Sequence, residues 1–158
     1  HETARSMRMF IQDGVRGIFV CGEQDMLEGY LIAKLWEDPD QDVDAMLHEF
    51  FSRYFGAAYE PMEQFYQMLE EIACDPKNYP DPLYKRNSID WKKAAWTRLG
   101  TAERMEQMGA LIHHAQELAQ TESEKKRVGL WHEALWKWME EGYAQYTTSE
   151  STHLNRKE

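Results

Sequence analysis

A short apolar run, Val15-Arg16-Gly17-Ile18-Phe19-Val20-Cys21, stands near the start of a chain that is otherwise patterned for helices. It constrains the fold more than any other feature. Glycines at 14 and 22 bound it, and its β-branched and aromatic content predicts a buried strand. A buried strand cannot satisfy its own backbone, and each orphaned N–H or C=O costs about 1–3 kcal/mol. No second run of this kind occurs in the chain. The strand therefore completes a sheet supplied by polypeptide upstream, serves as a short connector, or pairs with a copy of itself. The order helix, glycine, strand, glycine, helix is the rhythm of an α/β unit. It favours the first reading, the last βα unit of a truncated (β/α)8 barrel. The chain opens on His1 rather than Met, which fits a piece of a longer protein.

Around this run the periodicity is helical. Residues 2–12 place Met7, Phe10 and Ile11 on one side, and Asp13-Gly14 ends the helix. Leu27, Tyr30, Leu31 and Leu35 follow at helical spacing until Pro39, which disfavours the α conformation at Asp38. Asp42 is a good N-cap for the next stripe, Val43, Met46, Leu47, Phe50, Phe51 and Tyr54, which Gly56 closes. Met62, Phe65, Tyr66, Leu69 and Ile72 mark a further helix with Pro61 in its first turn. Residues 74–88 contain Pro76, Pro80 and Pro82 and read as a linker. Two long helices then form an antiparallel hairpin, one carrying Met105, Met108, Ile112, Ala115 and Ala119, the other Val128, Trp131, Leu135, Trp138 and Gly142. Thr121 or Ser123 caps the second.

The expected fold class is thus mainly α: a helical bundle following one orphan β-strand. Residues 1–37 are the end of a catalytic-type barrel, and 38–147 a helical C-terminal region with helices at about 42–55, 58–73, 90–120 and 123–146. Residues 148–158 are a flexible tail.

Charge narrows the partners. The chain has 18 Lys plus Arg against 28 Asp plus Glu, a net charge of −10. A nucleic-acid binder needs a basic face, and the short clusters Lys92-Lys93 and Lys125-Lys126-Arg127 sit among acids. Nucleic acid and an anionic membrane surface are both disfavoured. No apolar run approaches the ~18 residues of a membrane span. Cys21 and Cys74 show no zinc-ligand spacing.

In a (β/α)8 barrel, ligands bind at the C-terminal ends of the strands. That places Glu23 and Gln24 as candidate substrate-binding residues, against the plainer reading of Glu23 as a solvent-facing helix cap. His113, His114 and Glu117 could face His132 and Glu133 across the hairpin, but the Glu-x-x-His spacing of di-iron bundles is missing there, and exposed polar residues explain them better. Asp38, Asp40, Asp42 and Asp44 lack the glycine and glutamate of a calcium loop, so turn and capping chemistry accounts for them. No metal and no cofactor is expected. Tyr79, Tyr84, Trp91 and Trp96 flank the linker and could stack on sugars, although packing is the simpler role. Trp131, Trp136 and Trp138 read as core or docking surface.

Several short motifs resemble a known family. Gly14-Val15-Arg16-Gly17-Ile18-Phe19, Leu35-Trp36-Glu37-Asp38-Pro39, Asp42-Val43-Asp44, Glu49-Phe50, Tyr54-Phe55-Gly56-Ala57-Ala58 and Arg127-Val128 occur in order. Together they are similar to a bacterial domain-of-unknown-function family that follows an α-glucuronidase-like N-terminal domain, in proteins whose barrel resembles hexosaminidase-type glycoside hydrolases. Phe55 stands where the family usually has tyrosine. The resemblance implies an exported, glycan-degrading parent that would meet carbohydrate through a domain upstream, with catalytic acids on earlier strands.

Two functions follow as expectations. The first is the closing segment of a glycoside-hydrolase-like protein, bracing the barrel, inactive alone, and prone to self-association through its exposed strand and apolar surface. The second is a non-enzymatic helical protein-interaction module. A metal-binding bundle is a weaker third.

Overall fold

The computed structural model describes residues 1–19, 26–79 and 90–154, with side chains described as far as residue 149. Every regular element among these residues is helical, and none is a strand. The chain divides into two compact units, His1–Arg53 and Tyr54–Glu158.

The first unit is built from α1 (Glu2–Gln12), α2 (Met26–Glu37) and most of α3 (Val43–Phe55). Helix α1 buries Ala4 and Met7, one turn apart, on the side that packs against α2. Helix α2 presents Leu27, Leu31 and Leu35 at intervals of four, and all three are buried. Val43, Met46, Leu47 and Phe51 supply the buried face of α3. Arg8 ties α1 to the α2–α3 loop, its Nε donating to the Pro39 carbonyl at 2.7 Å and a terminal nitrogen to that of Gln41 at 3.0 Å. Asp42 caps α3, its carboxylate accepting from the amides of Asp44 (3.0 Å) and Ala45 (3.2 Å).

The orphan-strand expectation is corrected here. Val15–Phe19 follows Gly14, which takes φ +77° at the end of α1, and forms neither strand nor helix. Its side chains face solvent: Phe19 is 91% exposed, and Val15 and Ile18 are also exposed. A sheet is demanded only of a buried run, because only a buried backbone must find protein partners. An exposed backbone can hydrogen-bond to water, so nothing here demands missing strands. The truncated barrel, and self-association through an exposed strand, lose their basis. Val20 and Cys21 lie outside the described residues.

The second unit runs from the end of α3 through a tight turn at Gly56–Ala58 into α4 (Tyr59–Cys74). After Pro76–Asn78 it continues with α5 (Trp91–Ala94), α6 (Ala102–Leu118), α7 (Glu122–Trp131) and α8 (Lys137–Leu154). Helix α4 packs along α6, and α6 also meets α7. Phe55, Ala58, Met62, Phe65, Met108, Ile112, Ala115 and Val128 are all buried. The helix expected across 90–120 is interrupted: Gly100 breaks it, and Thr101 starts α6 by accepting from the Arg104 amide. Thr121 opens α7 through a reciprocal capping box with Glu124.

Two turns in this unit are wider than α. Ala95–Leu99 extends α5, closed by the Gly100 amide donating to Ala95 O five residues back. His132–Trp136 joins α7 to α8, closed by the Lys137 amide on His132 O. Such i→i+5 turns are rare and recur at functional sites.

Candidate interaction surface

Two of the sequence motifs meet in space. At the end of α3, Gly56 adopts φ +56°, a left-handed conformation that only glycine takes without cost. Glu124 in the first turn of α7 reaches this corner. Its carboxylate accepts from the amides of Gln120 (2.7 Å), Thr121 (2.9 Å) and Ala57 (3.3 Å). The amide of Thr121 foremost, then those of Gln120 and Ala57, hold the Glu124 carboxyl below its ordinary value. One turn on, Arg127 donates to the Tyr54 carbonyl at 2.7 Å and lies 4.7 Å from the centre of the Tyr54 ring. Tyr54–Ala58 and Arg127–Val128 thus form a structural clamp, which suffices to explain both motifs.

An aromatic lattice fills the space beside the clamp. Trp131 meets Phe55 edge-on at 6.1 Å and Tyr66 at 5.8 Å. Trp136 meets Phe65 at 6.4 Å, also edge-on. Its indole lies over Gly109, where a Cβ would stand 2.9 Å from Cζ2. Trp96, in the other wide turn, lies over Gly142 in the same manner, at 2.5 Å, and meets Tyr143 at 6.0 Å. Of the aromatics near the linker, Tyr79 donates to Ala73 O at 2.6 Å and Trp91 is 42% exposed, while Tyr84 lies outside the described residues.

Trp138 departs from the expected stripe. It is 69% exposed, whereas Trp136 is 3% exposed. The wide turn takes up about one extra residue and turns Trp136 inward, ahead of the half-buried Met139, Gly142 and Tyr143 of α8. Leu130 is 54% exposed. Leu130, Ala134 and Trp138 stand at intervals of four, and all are exposed. Glu133 beside them is held below its ordinary value, first by a hydrogen bond from Lys137 (3.0 Å) and then by one from His132 (3.2 Å). Periodicity alone misses this surface. The signal that could have found it is the Trp-Lys-Trp spacing, since residues two apart cannot share one helix face.

The other candidates fare differently. Glu23 and Gln24 lie outside the described residues. His113, His114 and Glu117 are exposed on α6, and no group of three or more His, Cys, Asp or Glu among the described residues is placed to hold a metal ion. Asp38 accepts from the Asp40 amide at 3.1 Å and Asp44 bonds His1 at 2.8 Å. A cleft of about 690 Å³ in the first unit is lined by His1, Arg5, Arg8, Asp40, Asp42 and Asp44, but Arg8 and Asp42 are already engaged in the loop and cap contacts above. A cleft of about 480 Å³ in the second unit places Glu71, Asp75, Glu103 and Arg104 together, and there Arg104 donates to Leu99 O and Asn78. No helix among the described residues is long and apolar enough to cross a membrane.

No family model, curated protein or solved structure matches the chain. With no strand among the described residues, the resemblance to the glucuronidase-associated family does not stand. Neither does the glycoside-hydrolase parent, the barrel-bracing role, or carbohydrate as a partner through an upstream domain.

Proposed function

We propose that the chain acts as a helical protein-interaction module whose contact surface is the outward face of α7 and α8. The observation that carries this reading is the exposure of Leu130 and Trp138 along the α7–α8 rod. A tryptophan displayed on a rigid helix provides a large contact area at small entropic cost, and such residues dominate binding energy when a partner covers them. Glu133, Glu140 and Glu141 lie close in sequence to Trp138, and the chain carries a net charge of −10. The fitting partner is a protein with an apolar pocket edged by basic groups.

Photo-crosslinking tests this reading, with the reactive side chain placed at position 130 or 138 of the full chain in its source cell. The expected result is one defined protein, whose capture weakens with salt and is lost with Leu130→Ala and Trp138→Ala while the denaturation midpoint stays unchanged. Capture of no protein, or capture indifferent to both substitutions, removes the reading.

A further inference from the structure

From α7 through the wide turn into α8, burial repeats at an interval of eight residues. Val128 and Trp136 are both buried, Trp131 and Met139 are both half-buried, and Leu130 and Trp138 are both exposed. A regular α-helix does not repeat this way. Two of its turns take about 7.2 residues, so residues eight apart stand roughly 80° out of line. The wide turn at His132–Trp136 takes up about one extra residue, and two turns across it then take close to eight.

Residues four and eight apart across this turn therefore run straight along the rod. Leu130, Ala134 and Trp138 make one such line, all three exposed, spanning roughly 12 Å at about 1.5 Å per residue. The small Ala134 leaves a notch between two large apolar side chains. Glu133, Lys137 and Glu141 make a second exposed line beside it, each three residues on from its neighbour in the first. Lys137 donates to Glu133 at 3.0 Å. That bond first, then the charge of Glu133 and less that of Glu141, holds the Lys137 ammonium above its ordinary value. The second line is thus a coupled ladder of acid, base and acid.

In a regular helix a row of every fourth residue slants by about 26° to the axis, and a partner must cross at an angle to follow it. The straight row here can be followed over its whole length by a groove parallel to the rod. Helix-in-groove recognition works through such a row of apolar anchors. The ladder fixes the sign of one rim, because opposite charges set register and like charges exclude a partner. The same face of a second copy carries the same Glu-Lys-Glu line and offers no basic rim.

We propose that the α7–α8 rod docks as the inserted helix in an elongated apolar groove of a partner protein, with recesses for Leu130 and Trp138, a ridge against Ala134, and two cations on one rim facing Glu133 and Glu141. This rests on the interaction reading above and goes further, in that one groove engages all three residues together.

A photo-crosslinking scan of the full chain in its source cell tests it, with the reactive side chain at position 130, 134 or 138 and, off the line, at the exposed positions 140 and 144. The same protein is expected at 130, 134 and 138 and at neither control. Ala134→Trp fills the notch, so it is expected to abolish capture at 138 while the denaturation midpoint stays unchanged. Glu133→Lys and Glu141→Lys set like charges against the rim, and each is expected to lower capture at 138 at least tenfold. Capture at 138 alone, without 130 and 134, overturns the groove and leaves the interaction reading standing. Capture at 140 and 144 as well, capture of a second copy of this chain, or capture indifferent to both charge reversals also overturns it. Capture at none of the positions removes both readings. Should the Ala134→Trp variant not fold, the capture pattern and the charge reversals decide.

Discussion

The Glu124 carboxylate occupies the space into which a side chain on Gly56 would grow. The two residues close one corner of the second unit: Gly56 turns the chain left-handed after α3, and Glu124 receives the Ala57 amide while holding its own helix start. Gly56→Ala therefore meets two costs. One is the left-handed backbone, roughly 1–2 kcal/mol. The other is displacement of the Glu124 carboxylate from the amides it receives. A loss of at least about 1–2 kcal/mol is expected from urea denaturation. Because the second cost is shared, the double variant with Glu124→Ala should lose less than the sum of the single losses.

Acid should weaken the same corner. The amides of Thr121, Gln120 and Ala57 lower the folded pKa of Glu124 below its ordinary value of 4.5. A carboxyl whose folded pKa is depressed contributes stability above its unfolded pKa, and loses it as pH falls through the folded value. Stability should thus decline below about pH 4.5. Glu124→Gln should flatten that decline in part, leaving the share due to Glu133, which is lowered by Lys137 and His132. A melting series from pH 6 to pH 3 with an unchanged slope in E124Q would contradict this.

The two tryptophans two residues apart should behave oppositely. Trp136→Ala removes a buried indole and is expected to cost about 3–5 kcal/mol. Trp138→Ala removes an exposed one and should stay within about 0.5 kcal/mol of wild type. Equal losses in thermal or urea unfolding would mean that the face of α8 has been misassigned.

Glycines on the rod separate packing from propensity. At Gly142 a Cβ would press on Trp96, and Gly142→Ala is expected to destabilise by about 1–3 kcal/mol. At Gly129 nothing lies within 4 Å, so Gly129→Ala should stabilise by up to about 1 kcal/mol through helix propensity alone. Denaturation midpoints that move the same way in both variants would refute the assigned contacts.

In the first unit, Phe19→Ser tests the correction of the strand. At 91% exposure Phe19 contributes little packing, so the melting temperature should stay unchanged. A buried sheet strand would lose several kcal/mol from the same change. A large drop would restore the buried-strand expectation.

Sequence by itself determined the local elements. Intervals of three and four residues identified the buried stripe of α6, where Met105, Met108, Ile112, Ala115 and Ala119 are all buried. Asp42 and Thr121 were legible as caps because a short polar side chain before an apolar repeat has few other roles. These features depend on neighbours within one turn, and composition carries that information. Tertiary structure decided which apolar run is covered and which tryptophan faces inward. Val15–Phe19 has the composition of a buried strand, yet its exposure depends on what surrounds it, and a β-branched run does not encode its surroundings. Trp136 displaces Trp138 from the core because a single turn widens over the slot at Gly109, and a residue far along the chain sets that slot. That contact is non-local, so spacing along α7 and α8 does not encode which of the two tryptophans is covered.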